Sequence, residues 1–240
     1  MAISNDELTK RAASFKTAAQ KRFDKALNEL IALAWDYRYL GDDFTFEADT
    51  ELYDKALEIC RNMSDGCIED AEYIVRFFFD TDMEIDNVLA DEAQDSFDMA
   101  GTHLLQLLNI WIAVAFAKGF TKSYTEISIK RYMTNPLASG LFRVLGKDFI
   151  KWGRGYDRNL INQLTVIGQN LIIGSVREEE WRRELENGAT YYIRRRGSNY
   201  DCPTCEDLCG YPIPISEPWE LTHSRCCCYP EYHYEPLVEI

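Results

Sequence analysis

Two closely spaced pairs of potential metal ligands lie near the carboxyl end of the 240-residue chain. Cys202 and Cys205 form a C-x-x-C motif, and His223 and Cys226 form an H-x-x-C motif after a further 17 residues. Zn²⁺ prefers about four soft or borderline ligands in a tetrahedron, and two close pairs joined by a longer loop can surround one ion. The spacing therefore predicts a structural zinc site with Cys202, Cys205, His223 and Cys226 as ligands.

Three further cysteines in the same segment, Cys209, Cys227 and Cys228, could exchange with members of that set. If residues 226–228 are extended, successive side chains point to opposite faces. Cys226 and Cys228 would then share one side and Cys227 would face away. Cys228 is therefore an alternate to Cys226, and Cys209 is a more distant alternate.

Other roles for these cysteines stay open at this point. Six of the eight cysteines lie between residues 202 and 228, and such a cluster in a cytosolic chain favours metal over disulfides. A secreted chain would instead favour disulfides, and some thiols could simply pack as small apolar groups. Redox catalysis by the C-x-x-C is disfavoured, because the expected βαβ context is missing.

A basic run precedes the cysteines and consists of Arg194, Arg195 and Arg196. It is a candidate contact for a phosphate or an acidic partner, or else the solvated end of a strand. His233 could act as a general base or as a further metal ligand, although an exposed strand position is the simpler interpretation. No nucleotide-binding or hydrolase motif is present, and no catalytic residue is predicted.

Residues 1–186 have mainly helical patterns. Apolar residues recur every three or four positions from Phe15 to Tyr37, and Ser4 with Glu7 fits a capping box at the start of this helix. Further helices are predicted over residues 49–79 with a break near 64–66, 86–118, 123–134, 137–152 and from an N-cap at Asp157 to 186. The last of these has a predicted core face that comprises Leu160, Leu164, Ile167, Leu171 and Val176, with Trp181 and Leu185 further along.

The pattern changes after residue 188. Thr190–Arg194 is β-branched and aromatic, which predicts a strand, and Cys228–Tyr234 could supply a return strand. The fold class predicted is mainly α: an elongated helical body, residues 1–188, and a small Cys-rich, zinc-stapled α+β module, residues 189–240.

The charge is distributed unevenly. The chain has a net charge of −14, but residues 41–100 carry 19 acidic and three basic residues, whereas residues 101–200 carry 15 basic and eight acidic ones. An acidic protein is a poor general binder of nucleic acid.

We expect no membrane span, because the apolar stretch from Leu104 to Ala117 is too short for a bilayer and contains Gln106 and Asn109.

The carboxyl-terminal region resembles the phage Mu F-like minor head proteins, also called phage head morphogenesis proteins. The resemblance covers about residues 190–230 and rests on YYIRRRGSNYDCPTCEDLCG, a proline-bearing loop and a final H-x-x-C-x-C. In position, Cys202 and Cys205 match the first cysteine pair of the family, His223 its histidine, and Cys226 and Cys228 its last two cysteines. Ser224 stands where the family usually has proline, and Cys227 where arginine is usual.

The resemblance implies a structural, non-enzymatic component of a virion or procapsid. Such a protein would contact portal or major capsid proteins, or copies of itself, and would aid head assembly or DNA delivery. It would lie in the head interior or at the portal, and in the host cytoplasm during assembly; DNA contact is only weakly supported. One alternative is a zinc-containing phage nuclease or effector that uses His223 or His233 with Arg194–Arg196, and another is a cellular zinc adaptor.

Overall fold

The computed structural model describes residues 3–79, 87–134, 160–197, 202–221 and 226–236. These residues are mostly helical, with a small strand region near the carboxyl end, which confirms the predicted fold class of a mainly α protein with a Cys-rich α+β end. The five long or medium helices are α1 Asn5–Asp36, α2 Thr50–Arg76, α3 Asn87–Ala117, α4 Lys122–Thr134 and α5 Leu160–Glu186. Short 3₁₀ turns at Arg38–Asp43 and Phe46–Ala48 connect α1 to α2.

Helix α1 has the apolar face that its periodicity predicts. It begins directly after Ser4 and is 32 residues long. Its buried residues at steps of three and four are Phe15, Ala19, Phe23, Leu27, Leu30 and Ala34. These side chains are removed from water together. The stability of the helix therefore comes more from this packing than from its intrinsic helix propensity.

Helix α2 continues through residues 64–66, where a break was predicted. The Ser64 hydroxyl donates to the carbonyl of Cys60 at 3.2 Å, so it is satisfied inside the helix. A Cβ on Gly66 would lie 2.4 Å from Nη1 of Arg22. This glycine therefore permits a close approach of a side chain and does not end the helix.

Helix α5 carries most of the predicted core face but differs at its end. Leu160, Leu164, Leu171 and Val176 are buried, whereas Ile167 is half-buried. Leu185 is 41% exposed, and Glu184 is buried in its place. The predicted helix over residues 137–152 and the predicted N-cap Asp157 lie outside the described residues.

Three short antiparallel strands follow α5: β1 Tyr191–Arg195, β2 Pro212–Pro214 and β3 Tyr229–His233. The sheet order is β2-β1-β3, with Tyr192 opposite Ile213 on one side and Tyr232 on the other. A one-and-a-half-turn helix, α6 Pro203–Leu208, lies between β1 and β2 in the chain. The predicted first strand and return strand are thus confirmed.

The described chain forms two compact units. One consists of residues 1–15, 68–93 and 166–240, and the other of residues 16–67 and 94–165. The Cys-rich segment therefore shares a unit with the start of α1, the end of α2, the start of α3 and most of α5. The predicted division at residue 188 was defined by residue types and stays a prediction.

One helix of the described part is long and apolar enough to cross a membrane. It spans Leu89–Ala117 in α3 and has a mean hydropathy of 1.5 in its most apolar window. Half of that window is buried inside the protein, and a core helix of a soluble protein has the same length and composition.

Candidate metal centre

Three buried thiols come together in the carboxyl-terminal segment. Cys205 lies on α6, and Cys226 and Cys228 lie in the segment that leads into β3. All three sulfurs lie within 4.8 Å of one another, and the three residues are between 1% and 4% exposed. These residues could hold a metal ion, because three convergent thiolates are a soft donor set.

The distances between the sulfurs suit tetrahedral coordination. Two ligands at about 2.3 Å from a tetrahedral zinc ion lie roughly 3.8 Å apart. The sulfurs of Cys205 and Cys226 are separated by 3.8 Å, and those of Cys209 and Cys228 by 4.0 Å. Small rotations of the side chains would therefore bring the sulfurs to coordinating distance.

The local backbone explains why these thiols converge. Pro203 lies in the first turn of α6, where its lack of an N–H is tolerated. Cys205 and Cys209 are four residues apart, and the N–H of Cys209 donates to the carbonyl of Cys205 at 3.0 Å as the helix ends. Cys226 and Cys228 belong to the buried cluster, while Cys227 between them is only half-buried, so the burial alternates as predicted.

The thiols lie in a small aromatic core. Tyr192 of β1 and Trp219 belong to the same buried cluster as the three cysteines, with ring centroids 5.8 Å apart. The indole N–H of Trp181 donates to the carbonyl of Ile215 at 3.0 Å and so joins α5 to the loop after β2. This core is small, so a metal ion would contribute a substantial part of its stability.

The surroundings favour the protonated forms of Cys227 and Cys228. Hydrogen bonding with Cys226, followed by burial, raises the pKa of Cys228 far above its ordinary value. Burial also raises the pKa of Cys227. Metal binding would consequently release protons, because the thiolate and not the thiol is the ligand.

The predicted ligand set is placed only in part. Cys205 and Cys226 lie in the cluster of three, together with the predicted alternate Cys228. Cys202 is the N-cap of α6 and packs half-buried against the cluster, as does the alternate Cys209. His223 lies outside the described residues, so its role stays a prediction.

The three arginines of the basic run have different surroundings. Arg194 is 5% exposed and its guanidinium carbon lies 4.2 Å from the ring centroid of Trp219. Arg195 forms an ion pair with Glu231 across the sheet. Arg196 lines an open cleft, and the run as a phosphate or partner contact stays a prediction.

That cleft was not expected from the sequence. Its volume is about 870 Å³, and it is bordered by residues 3–6, α5 and β3. Arg177 and Glu180 form a buried ion pair there at 2.5 Å, and Glu180 also accepts from the N–H of Ile3 at 2.9 Å. The sequence feature that could have indicated this cleft is Arg177, a charged residue within the apolar face of α5 next to Val176.

His233, proposed above as an alternative general base, is held by its neighbours. Its ring stacks on Tyr191 at 4.6 Å between centroids, and Nδ1 lies 3.2 Å from a carboxylate oxygen of Glu235.

Comparison with known proteins found no matching family model, no matching curated protein and no matching solved structure.

Proposed function

We propose that the carboxyl-terminal segment is a zinc-stapled structural module. The observation that carries this proposal is the group of three buried thiols, Cys205, Cys226 and Cys228, with sulfur separations close to a tetrahedral edge. Zinc is the metal that such thiolate-rich tetrahedral sites favour. The ion would join α6 to the segment that leads into β3 and so close the module.

A fourth ligand completes the proposed centre. Cys209, with its sulfur 4.0 Å from that of Cys228, and the half-buried Cys202 are the described candidates, and His223 is the one that the sequence motif favours. A buried site with this many soft donors has no need of a water ligand, and closed four-coordinate sites are structural. The proposed zinc therefore acts as a brace and takes part in no reaction.

Metal analysis of protein purified without added zinc tests this proposal. We expect about one zinc per chain, because four soft ligands in a buried site hold the ion through purification. A zinc content near zero in protein that keeps its fold would contradict the proposal. Mass spectrometry that found the cluster thiols oxidised in pairs would also contradict it.

For the whole chain, we propose a structural role as a minor head protein of a phage. The support is the resemblance of residues 190–230 described above, together with a rigid surface that a zinc-stapled module could present to portal or capsid proteins. Fractionation of purified heads should find this chain in the particles, and cryo-electron microscopy should place it at the portal or inner shell. Its absence from assembled heads, or cleavage of polynucleotide by the purified chain, would reject this role.

A further inference from the structure

One face of helix α5 places three buried charged residues at the border of the cleft described above. Arg177, Glu180 and Glu184 follow one another at steps of three and four, so they share a face of the helix. They are 1%, 5% and 8% exposed. The ion pair at 2.5 Å lets Arg177 and Glu180 compensate each other, and all described residues at the border of the cleft belong to one compact unit.

The buried carboxylate of Glu184 has no opposite charge beside it. It accepts a hydrogen bond from the hydroxyl of Tyr234, and it forms no ion pair within the part of the chain that the structure describes. Arg183, its neighbour in sequence, pairs with Glu179 instead. A carboxylate that is removed from water needs an opposite charge or several donors to offset its lost hydration. A single hydroxyl supplies only part of that compensation.

Tyr232 of β3 adds a polar group without a partner at the same cleft. Its hydroxyl is buried and has no hydrogen-bond partner among the described atoms, and it interacts electrostatically with Glu180, Arg177 and Glu184. Burial, followed by the carboxylate of Glu180, raises the pKa of Tyr232 well above its ordinary value, so this hydroxyl stays neutral at physiological pH. Its oxygen is therefore available to accept a hydrogen bond close to Glu184.

The other groups at the border of the cleft favour a positive charge. Among the described residues, four acidic and two basic ones lie there, which gives a formal net charge of −2: Asp6, Glu180, Glu184 and Glu231 against Arg177 and Arg196. Three tyrosines, Tyr229, Tyr232 and Tyr234, also border the cleft. The faces of tyrosine rings attract cations. A carboxylate, a hydroxyl oxygen and aromatic rings together suit an amine cation, whereas an anion would meet net repulsion.

We propose that this cleft binds an alkylammonium group, with Glu184 as its counter-ion and the hydroxyl of Tyr232 as a further acceptor. An ammonium has three N–H donors and no acceptor, which complements these two oxygens. The cleft volume of about 870 Å³ leaves room for an aliphatic chain behind the charge. The ammonium belongs to a free amine or to the lysine side chain of a protein partner. None of these residues is a proposed zinc ligand, so the proposal does not depend on the zinc centre.

Isothermal titration calorimetry of the full chain with n-butylammonium tests the proposal. We expect saturable binding, and Glu184→Gln should weaken it about 10–100-fold, which corresponds to the loss of one hydrogen bond between charged groups. The glutamine keeps the size of the side chain and can still accept from Tyr234. Glu186→Gln is the matched control, because it removes the same charge from an exposed position of the same helix. Its affinity should stay within about twofold of the unmodified chain.

A second variant keeps the test decisive if Glu184→Gln does not fold. Tyr232→Phe removes only the hydroxyl and should weaken binding about three- to tenfold. n-Butanol, which has the same aliphatic chain without the charge, should not bind. The proposal is overturned if the unmodified chain does not bind n-butylammonium. It is also overturned if Glu184→Gln, or in its absence Tyr232→Phe, binds as tightly as the unmodified chain, since the amine would then bind only to the acidic surface in general.

Two competing titrants distinguish the sources of the ammonium. 1,4-Diaminobutane represents a free amine, and lysine blocked at both its amino and carboxyl ends represents the side chain of a protein partner. The titrant that displaces n-butylammonium at the lower concentration identifies the source, and either result supports the site. Failure of both to displace n-butylammonium would overturn the proposal.

Discussion

Adjacent cysteines in the carboxyl-terminal segment have opposite surroundings. Cys226 and Cys228 are 1% and 4% exposed and face Cys205, whereas Cys227 lies between them and is only half-buried. This alternation is the pattern of an extended backbone, in which successive side chains point to opposite sides. Three neighbouring residues of one type therefore offer an internal control for any metal-binding experiment.

We predict that Cys228→Ser and Cys227→Ser differ in metal content. A serine at 228 replaces a soft thiolate with a poor zinc ligand, so the bound zinc should fall well below one per chain. A serine at 227 changes no residue of the cluster and should leave the zinc content unchanged. Elemental analysis of the two purified variants measures this; equal zinc in both would remove Cys228 from the ligand set.

The buried thiol of Cys60 predicts a pH dependence of stability. Burial, with a smaller effect from Asp98, raises the pKa of Cys60 to about 12. Above the usual thiol pKa near 8.5 the unfolded chain loses this proton while the folded chain retains it. The free energy of unfolding should therefore fall by about 1.4 kcal/mol per pH unit between about pH 9 and 12.

Denaturant titrations of the unmodified chain and Cys60→Ala across that pH range measure the effect. The variant lacks this thiol, so its stability should decline less steeply with pH. Since other groups titrate in both proteins, the difference between the two slopes is the quantity that counts. Parallel slopes would show that Cys60 contributes nothing to the alkaline loss.

The convergence of Cys205 with Cys226 and Cys228 could be predicted in part from the spacing of the cysteines, but the burial of Arg194 could not. The C-x-x-C and the alternation of residues 226–228 depend on local backbone geometry, which short patterns specify. Three consecutive arginines look alike in a sequence. Which of them is buried depends on the strand register and on Trp219, 25 residues away in the chain.

Helix α5 contains two glycines whose surroundings differ. A Cβ at Gly168 would lie 2.0 Å from a ring carbon of Phe15, whereas a Cβ at Gly174 would lie 3.3 Å from a terminal methyl of Leu221. Gly168 lets an aromatic ring pack directly against the helix backbone. Gly174 leaves almost enough space for a methyl group.

We predict opposite outcomes for alanine at these two positions. Gly168→Ala should lower the free energy of unfolding by about 1–3 kcal/mol, because overpacking against Phe15 outweighs the better helix propensity of alanine. Gly174→Ala should be neutral or stabilising by up to about 1 kcal/mol, because the leucine side chain can shift. Chemical denaturation of both variants checks this, and a stable Gly168→Ala would contradict the close approach of Phe15.

The bounds and buried faces of helices could be predicted from the sequence where the spacing of apolar residues alone determines them. The start of α1 and its buried face follow from apolar spacing and a capping residue. The break predicted near Gly66 was wrong, because the glycine makes room for Arg22, a contact between residues 44 positions apart. Leu185 was predicted to be buried but is exposed, and Glu184 is buried instead, since Tyr234 donates a hydrogen bond to Glu184.

At the scale of the whole molecule, the proposed zinc should stabilise one part of the chain selectively. The described helices α1 to α4 contain none of the clustered cysteines. A strong chelator should therefore leave most of the far-ultraviolet helical signal intact while the environment of Trp219 changes and proteases cleave after about residue 195. Circular dichroism, tryptophan fluorescence and limited proteolysis measure these effects, and added zinc should reverse them. Complete loss of helicity on chelation would contradict a local role for the metal.

The hydrogen bond from the N–H of Ile3 to Glu180 joins residues 177 positions apart. During synthesis at about 5–20 residues per second, the partner of the first residues emerges roughly 9–35 s after them. Until then the start of the chain, including Asn5, which accepts from Arg177 at 3.0 Å, has no native partner on α5. The unit that contains residues 3–5 and most of α5 is thus completed only after Glu180 has been synthesised, and residues 3–5 are exposed to chaperones and proteases in the meantime.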